Sequence, residues 1–232
     1  MALSYLKTQL AELELEINEA CSKASRKRDE ITLIGVTKTY EADVMNASIA
    51  YGITDIGENK VQEITRKYDQ IVKGVKWHLI GHLQTNKVKY IIDKVDLIHS
   101  VDSLRLAEEI SNRAQKIDKI QDILIQVNVA DETQKSGVSP DSVIELVQEI
   151  SQLKNIKVCG LMNIAPFVDD PETLRSDFKV MKGLFDRLND IKADNVEAKF
   201  LSMGMSGDFG IAIEEGANMI RVGTRIYGKR NY

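Results

Sequence analysis

A single (β/α)8 barrel, with one extra helix at its N-terminus, is the fold the sequence predicts. Eight short apolar stretches rich in β-branched residues recur along the 232 residues. The segments between them carry apolar residues at helical period, and alternation of strand and helix argues for a parallel sheet covered by helices. Eight such units is the count that closes a barrel. A doubly wound open sheet is the alternative.

In order along the chain, residues 3–20, LSYLKTQLAELELEINEA, place leucine, isoleucine and alanine three and four apart between charges. That spacing predicts an amphipathic helix within an N-terminal segment, 1–29, that packs on the barrel. Strands are predicted at ITLIGV (31–36), ITDIG (53–57), KWHLIG (76–81), DLIHSV (96–101), DILIQVNV (122–129), IKVCGLM (156–162), AKFLSM (198–203) and NMIRVG (218–223). Between them SLRLAEEISNRAQKI and PDSVIELVQEISQL read as helices, their starts marked by Ser, Asp or Pro as caps. After Gly223 only the nine residues TRIYGKRNY follow, too few for a covering helix. Strand one neighbours strand eight in a closed barrel, so the N-terminal helix is placed to cover that seam. With three prolines, 14 glycines and no low-complexity linker, the expectation is one domain over 1–232.

Composition narrows the function classes. Hydrophobic residues at 43%, charged residues at 28% and a net charge of −4 are those of an ordinary globular protein. The apolar runs are too short to cross a bilayer and the N-terminus lacks the order of a secretory signal, so a cytoplasmic protein is expected. The basic run from Lys67 to Lys94 contains Trp77 and Tyr90, but its cations alternate with apolar residues at structural periods. It reads as a solvated face rather than a nucleic-acid site. Cys21 and Cys159 stand in unlike contexts and read as reduced; Cys159, in IKVCGLM, is a small core residue without an activating neighbour.

Barrels carry their sites at the C-terminal ends of the strands. Lys38, in ITLIGVTKTY, ends the first strand, where burial disfavours its charge and can turn a lysine into a nucleophile. Further ends carry Glu58 and Asn59 in GENKVQE, His82 in GHLQTNK, Asn128, and Met162 with Asn163. The seventh offers Ser202 and Ser206 in LSMGMSGDFG, with a helix starting near Gly207; the eighth offers Arg221, Gly223 and Thr224 in RVGTRIYG. Phosphate commonly binds at the seventh and eighth loops of a barrel, on backbone N–H groups that glycine lets approach closely. Ser206 and Thr224 add hydroxyl donors. An amine beside a phosphate cradle points either to a Schiff-base aldolase or to a protein holding pyridoxal 5′-phosphate (PLP). Arg221, on a strand fit for the core, needs a partner, which is either a carboxylate or a pyridine nitrogen. His78 and His82 have the spacing of a helical zinc pair, but WHLIGH reads as strand and turn and lacks the accompanying glutamate, so no metal is expected. His82 is expected to line the mouth, His78 and His99 to be structural.

The segments VTKTY, GENKVQE, WHLIGHLQTNK, IHSVDS, QVNVADETQKSGV, GLMNIAP, LSMGMSGD and IRVGTRIYG run in this order over nearly the whole chain. Together they resemble the pyridoxal phosphate homeostasis proteins, the YggS/PROSC group of alanine racemase-like barrels. The resemblance implies that Lys38 carries PLP as a Schiff base, that Arg221 faces the pyridine nitrogen, and that Ser206, Gly223 and Thr224, with Gly207 beside them, hold the phosphate. Asn59 and Met203 would lie against the cofactor and His82 at its mouth. Asn163 stands where small or hydroxyl residues are more usual. Alanine racemases similar to this barrel add a β-rich domain that pairs subunits and delivers a tyrosine base, whereas this sequence stops nine residues after Gly223. An arginine at the ring nitrogen also weakens the electron sink. A monomeric carrier that meets apo-enzymes transiently is therefore expected, with a racemase or lyase as the alternative.

Overall fold

The computed structural model describes residues 3–129, 136–166 and 168–228. The centre of QVNVADETQKSGV and the last four residues of TRIYGKRNY lie outside the described residues. Eight parallel strands close on themselves in chain order: β1 (Thr32–Val36), β2 (Asp55–Glu58), β3 (Lys76–Leu79), β4 (Leu97–Val101), β5 (Gln121–Val127), β6 (Ile156–Asn163), β7 (Val196–Ser202) and β8 (Met219–Val222). Every predicted strand is present. Closure is made by β1 beside β8, with Ile34 level with Arg221 and Gly35 with Val222. The open-sheet alternative is thereby excluded.

The helices are α1 (Tyr5–Lys23), α2 (Ala42–Ala50), α3 (Val61–Lys67), α4 (Leu104–Gln115), α5 (Val143–Ile150), α6 (Arg175–Arg187), α7 (Phe209–Glu214) and α8 (Thr224–Tyr227). Two expectations change. Between β3 and β4 the alternation gives way to a 3-10 segment, Thr85–Tyr90, from which and from the turns after it Val88, Ile91, Ile92 and Val95 are buried. Ser103 stands at the N-cap position of α4, yet its hydroxyl does not close the cap. Along α1 the inward stripe is Leu6, Leu10, Leu13, Ile17, Ala20 and Cys21, spaced by three and four. It packs on α7 and on the four-residue α8, so α1 covers the seam as expected. Each such leucine contributes about 1.5–3 kcal/mol by leaving water.

The main apolar core lies between strands and helices. A smaller cluster, Ile34, Leu97, Leu124, Cys159, Met162 and Met219, fills the barrel interior. Asp55, His78, His99, Ser202 and Arg221 are buried as well. Burial pushes the Cys159 thiol up to about 12, which makes it inert, and raises Cys21 too. No helix among the described residues is long and apolar enough to cross a membrane.

Candidate functional site

The barrel brings the expected residues together because strand ends converge on one mouth. A cavity of about 710 Å3 is lined by Lys38, Asn59, Ser206, Gly207, Arg221, Gly223 and Thr224. Lys38 is half-buried there. Its backbone is bracketed by two constraints. On one side, Thr37 is fully buried and donates its hydroxyl to Glu58 Oε1 at 2.8 Å. On the other, Thr39 holds φ 75°, a left-handed conformation that costs a β-branched residue about 1–3 kcal/mol. A lysine set between a pinned residue and a strained one has little backbone freedom left.

Beneath this step lies a buried ion pair. Lys67 Nζ, on α3, sits 2.9 Å from Glu58 Oε1, 2.9 Å from Glu63 Oε2 and 3.4 Å from the Thr37 carbonyl. Lys67 and Glu58 are both fully buried. The expectation of a solvated basic face is thus corrected at its first residue, where α3 turns inward. Burial pushes the Glu58 carboxyl up, against the charge of Lys67 and the hydrogen bonds from Lys67 and Thr37.

The two glycine loops meet across the seventh and eighth strand ends. The Gly223 N–H donates to Ser206 Oγ at 3.3 Å, and the Arg221 N–H donates to the Gly204 carbonyl at 3.0 Å. Gly204 holds φ 92°, and a Cβ there would lie 2.6 Å from that of Ala212. Only glycine makes this turn. Asp208 accepts a hydrogen bond from the Met205 N–H and closes the loop.

Arg221 is 4% exposed, and its NH1 and NH2 groups donate to Ser202 Oγ and to the Asn163 carbonyl, each at 2.7 Å. Neither partner is a carboxylate. Burial brings its pKa down to about 10, with the field of Asp208 opposing. The unusual Asn163 thus acts on Arg221 through its backbone; its Oδ1, like the Oδ1 of Asn59, is buried without a hydrogen-bond partner.

Two expected residues stand elsewhere. Met203 is fully buried in the core, because the Gly204 turn reverses the chain after it; Met205 lines the cavity instead. His82 is exposed and borders a neighbouring recess with Asn128 and Ser136, whose Oγ lies 3.4 Å from His82 Nδ1. The chain turns away at Gly81, where a Cβ would lie 2.2 Å from the Asn59 carbonyl. Met205 and Ile164 also line the cavity, and no motif distinguished them from core residues. Ser202, expected at the seventh loop, faces Arg221 inside the barrel.

Residues 10–231 match the family of the alanine racemase N-terminal domain. A pyridoxal phosphate homeostasis protein of Aquifex aeolicus (strain VF5) is 45% identical over 217 residues, 93% of this chain and 94% of its own. The chain belongs to the pyridoxal phosphate homeostasis protein family. PipY of Synechococcus elongatus PCC7942, in a structure with PLP bound, matches with a TM-score of 0.84 at 31% identity, covering 96% of this chain and 100% of its own. An alanine racemase of Clostridium difficile 630 matches with a TM-score of 0.75 at 16% identity, covering 99% of this chain and 61% of its own; that likeness is one of fold alone.

Proposed function

We propose that this protein holds PLP covalently through Lys38 and serves vitamin B6 homeostasis as a monomeric cytoplasmic carrier, one domain over 1–232, passing the cofactor to apo-enzymes. One observation carries the reading: an amine, two hydroxyl-bearing glycine loops and a buried guanidinium without a carboxylate partner among the described residues line one cavity. The residues fit the group. Lys38 offers the amine that an aldehyde needs, the Ser206 and Thr224 hydroxyls offer donors to a phosphate beside Gly207 and Gly223, and Asn59 brings a buried acceptor with no partner. Arg221 offers a ring nitrogen a donor that stays charged, which leaves that nitrogen unprotonated.

When bound, PLP supplies an aldehyde and an electron-withdrawing ring. With the ring nitrogen unprotonated, that withdrawal is weak, which favours holding the cofactor over turning over a substrate. The names of the relatives and the PLP in PipY support the same reading. An amino-acid racemase or lyase is the second reading, and only the shared fold speaks for it.

The test is an absorbance spectrum of the purified protein with PLP, before and after borohydride, followed by peptide mapping. A yellow protein whose adduct maps to Lys38 is expected, and Lys38→Ala should fold yet form none. An adduct on another lysine would overturn the assignment.

A further inference from the structure

Arg221 stands at one end of a buried hydrogen-bond chain that crosses the barrel interior. From Ser202 Oγ, which accepts from Arg221, the next step is 3.2 Å to His99 Nδ1. His99 Nε2 then lies 3.0 Å from His78 Nδ1, and His78 Nε2 lies 2.9 Å from Asp55 Oδ1. Five strands each contribute one member, and all five side chains are buried.

The chemistry of the two ends sets the direction of every proton. A guanidinium only donates, so Ser202 accepts from it. The Ser202 hydroxyl hydrogen is itself buried, and its one acceptor among the described residues is His99 Nδ1. His99 therefore carries its hydrogen on Nε2 and donates to His78 Nδ1, and His78 donates from Nε2 to Asp55. Burial above all, with the charge of Arg221 beside it, holds His99 well below its usual range, so it stays neutral. Burial works against the Asp55 charge, but hydrogen bonds from His78 and Thr54 outweigh it and keep the carboxyl below its ordinary value. A donor-only cation and an acceptor-only anion thus stand at the two ends of a one-way chain.

We propose that Ser202, His99, His78 and Asp55 are positioning residues for Arg221, fixing the plane of its guanidinium toward the ring nitrogen of the cofactor. This rests on the cofactor reading above. With NH1 held by the chain and NH2 by the Asn163 carbonyl, two edges of the group are fixed. Such support holds a binding group in place before the ligand arrives. Asp55 and His78 line a cleft at the opposite mouth and neither lines the cofactor cavity, so the far end of the chain can be changed without touching the ligand.

The test uses the full chain with PLP and has two readouts. Nitrogen-15 NMR of the histidine side chains, without cofactor, should show His78 and His99 both protonated at Nε2, with His99 staying neutral to lower pH than an ordinary imidazole. In the loaded protein, Ser202→Ala and Asp55→Ala should each shift the absorbance maximum of the bound cofactor and speed its loss about tenfold, the scale of one charge-assisted hydrogen bond. Attachment to Lys38 should persist, and Ser202→Thr, which keeps the hydroxyl, should restore the wild-type spectrum. A His99 protonated at Nδ1, or variants that lower only the unfolding midpoint and leave spectrum and retention unchanged, would overturn the proposal. Should the wild type bind no PLP, the cofactor reading fails while the tautomers still decide whether the chain exists. Where an alanine variant does not fold, the wild-type tautomers and the Ser202→Thr spectrum carry the test.

Discussion

Ser206 and Thr224 stand on separate loops, tied together by the Gly223 N–H bonded to Ser206 Oγ and the Arg221 N–H bonded to the Gly204 carbonyl. Each hydroxyl is expected to give a bound phosphate one charge-assisted hydrogen bond, about 1.5–3 kcal/mol. Ser206→Ala with Thr224→Ala should therefore sharply weaken retention of PLP and barely change that of unphosphorylated pyridoxal, measured side by side by equilibrium dialysis. Equal losses for both ligands would show that these side chains do not read the phosphate. Residues at this scale were legible wherever chemistry alone singled them out, as with Lys38 after an apolar run. Met203 and Met205 have the same side chain, and only the φ of Gly204 decides which enters the core.

At the scale of an element, α3 is a short helix whose last residue, Lys67, reaches inward to Glu58 beneath the Lys38 step. Removing one member of a buried pair leaves the other charge stranded, which costs far more than the pair contributes. Lys67→Met should lower the unfolding free energy in urea at pH 7 by about 3–5 kcal/mol. The double variant with Glu58→Leu should recover most of that loss. If the single variant is as stable as the wild type, the pair is not desolvated as described. The sequence showed Lys67 only as the first of a basic run, because a charge pattern does not say which side chain a helix turns toward the sheet.

For the whole molecule, the carrier reading makes a functional prediction. The loaded protein should activate an apo-enzyme in a coupled assay, while racemisation or transamination of common amino acids stays below ordinary turnover, roughly 1–1,000 per second. Turnover in that range would replace the carrier with an enzyme. Transfer is expected because the cavity opens at the barrel mouth, where Gly207 and Thr224 are exposed.

The sequence by itself determined the eight strands, the N-terminal helix, and the amine and glycine loops, because alternation, period and turn chemistry are local properties; closure was the expectation, and the pairing of β1 with β8 decided it. It also marked His78 and His99 as satisfied structural residues. The tertiary structure alone decided that Asp55, His78, His99, Ser202 and Arg221 form one line, that His82 turns outward, and that the Asn163 carbonyl holds Arg221. These facts depend on the register of strands far apart in the chain. A hydrogen bond between two strands exists only once closure sets them level, and no local pattern encodes that distance.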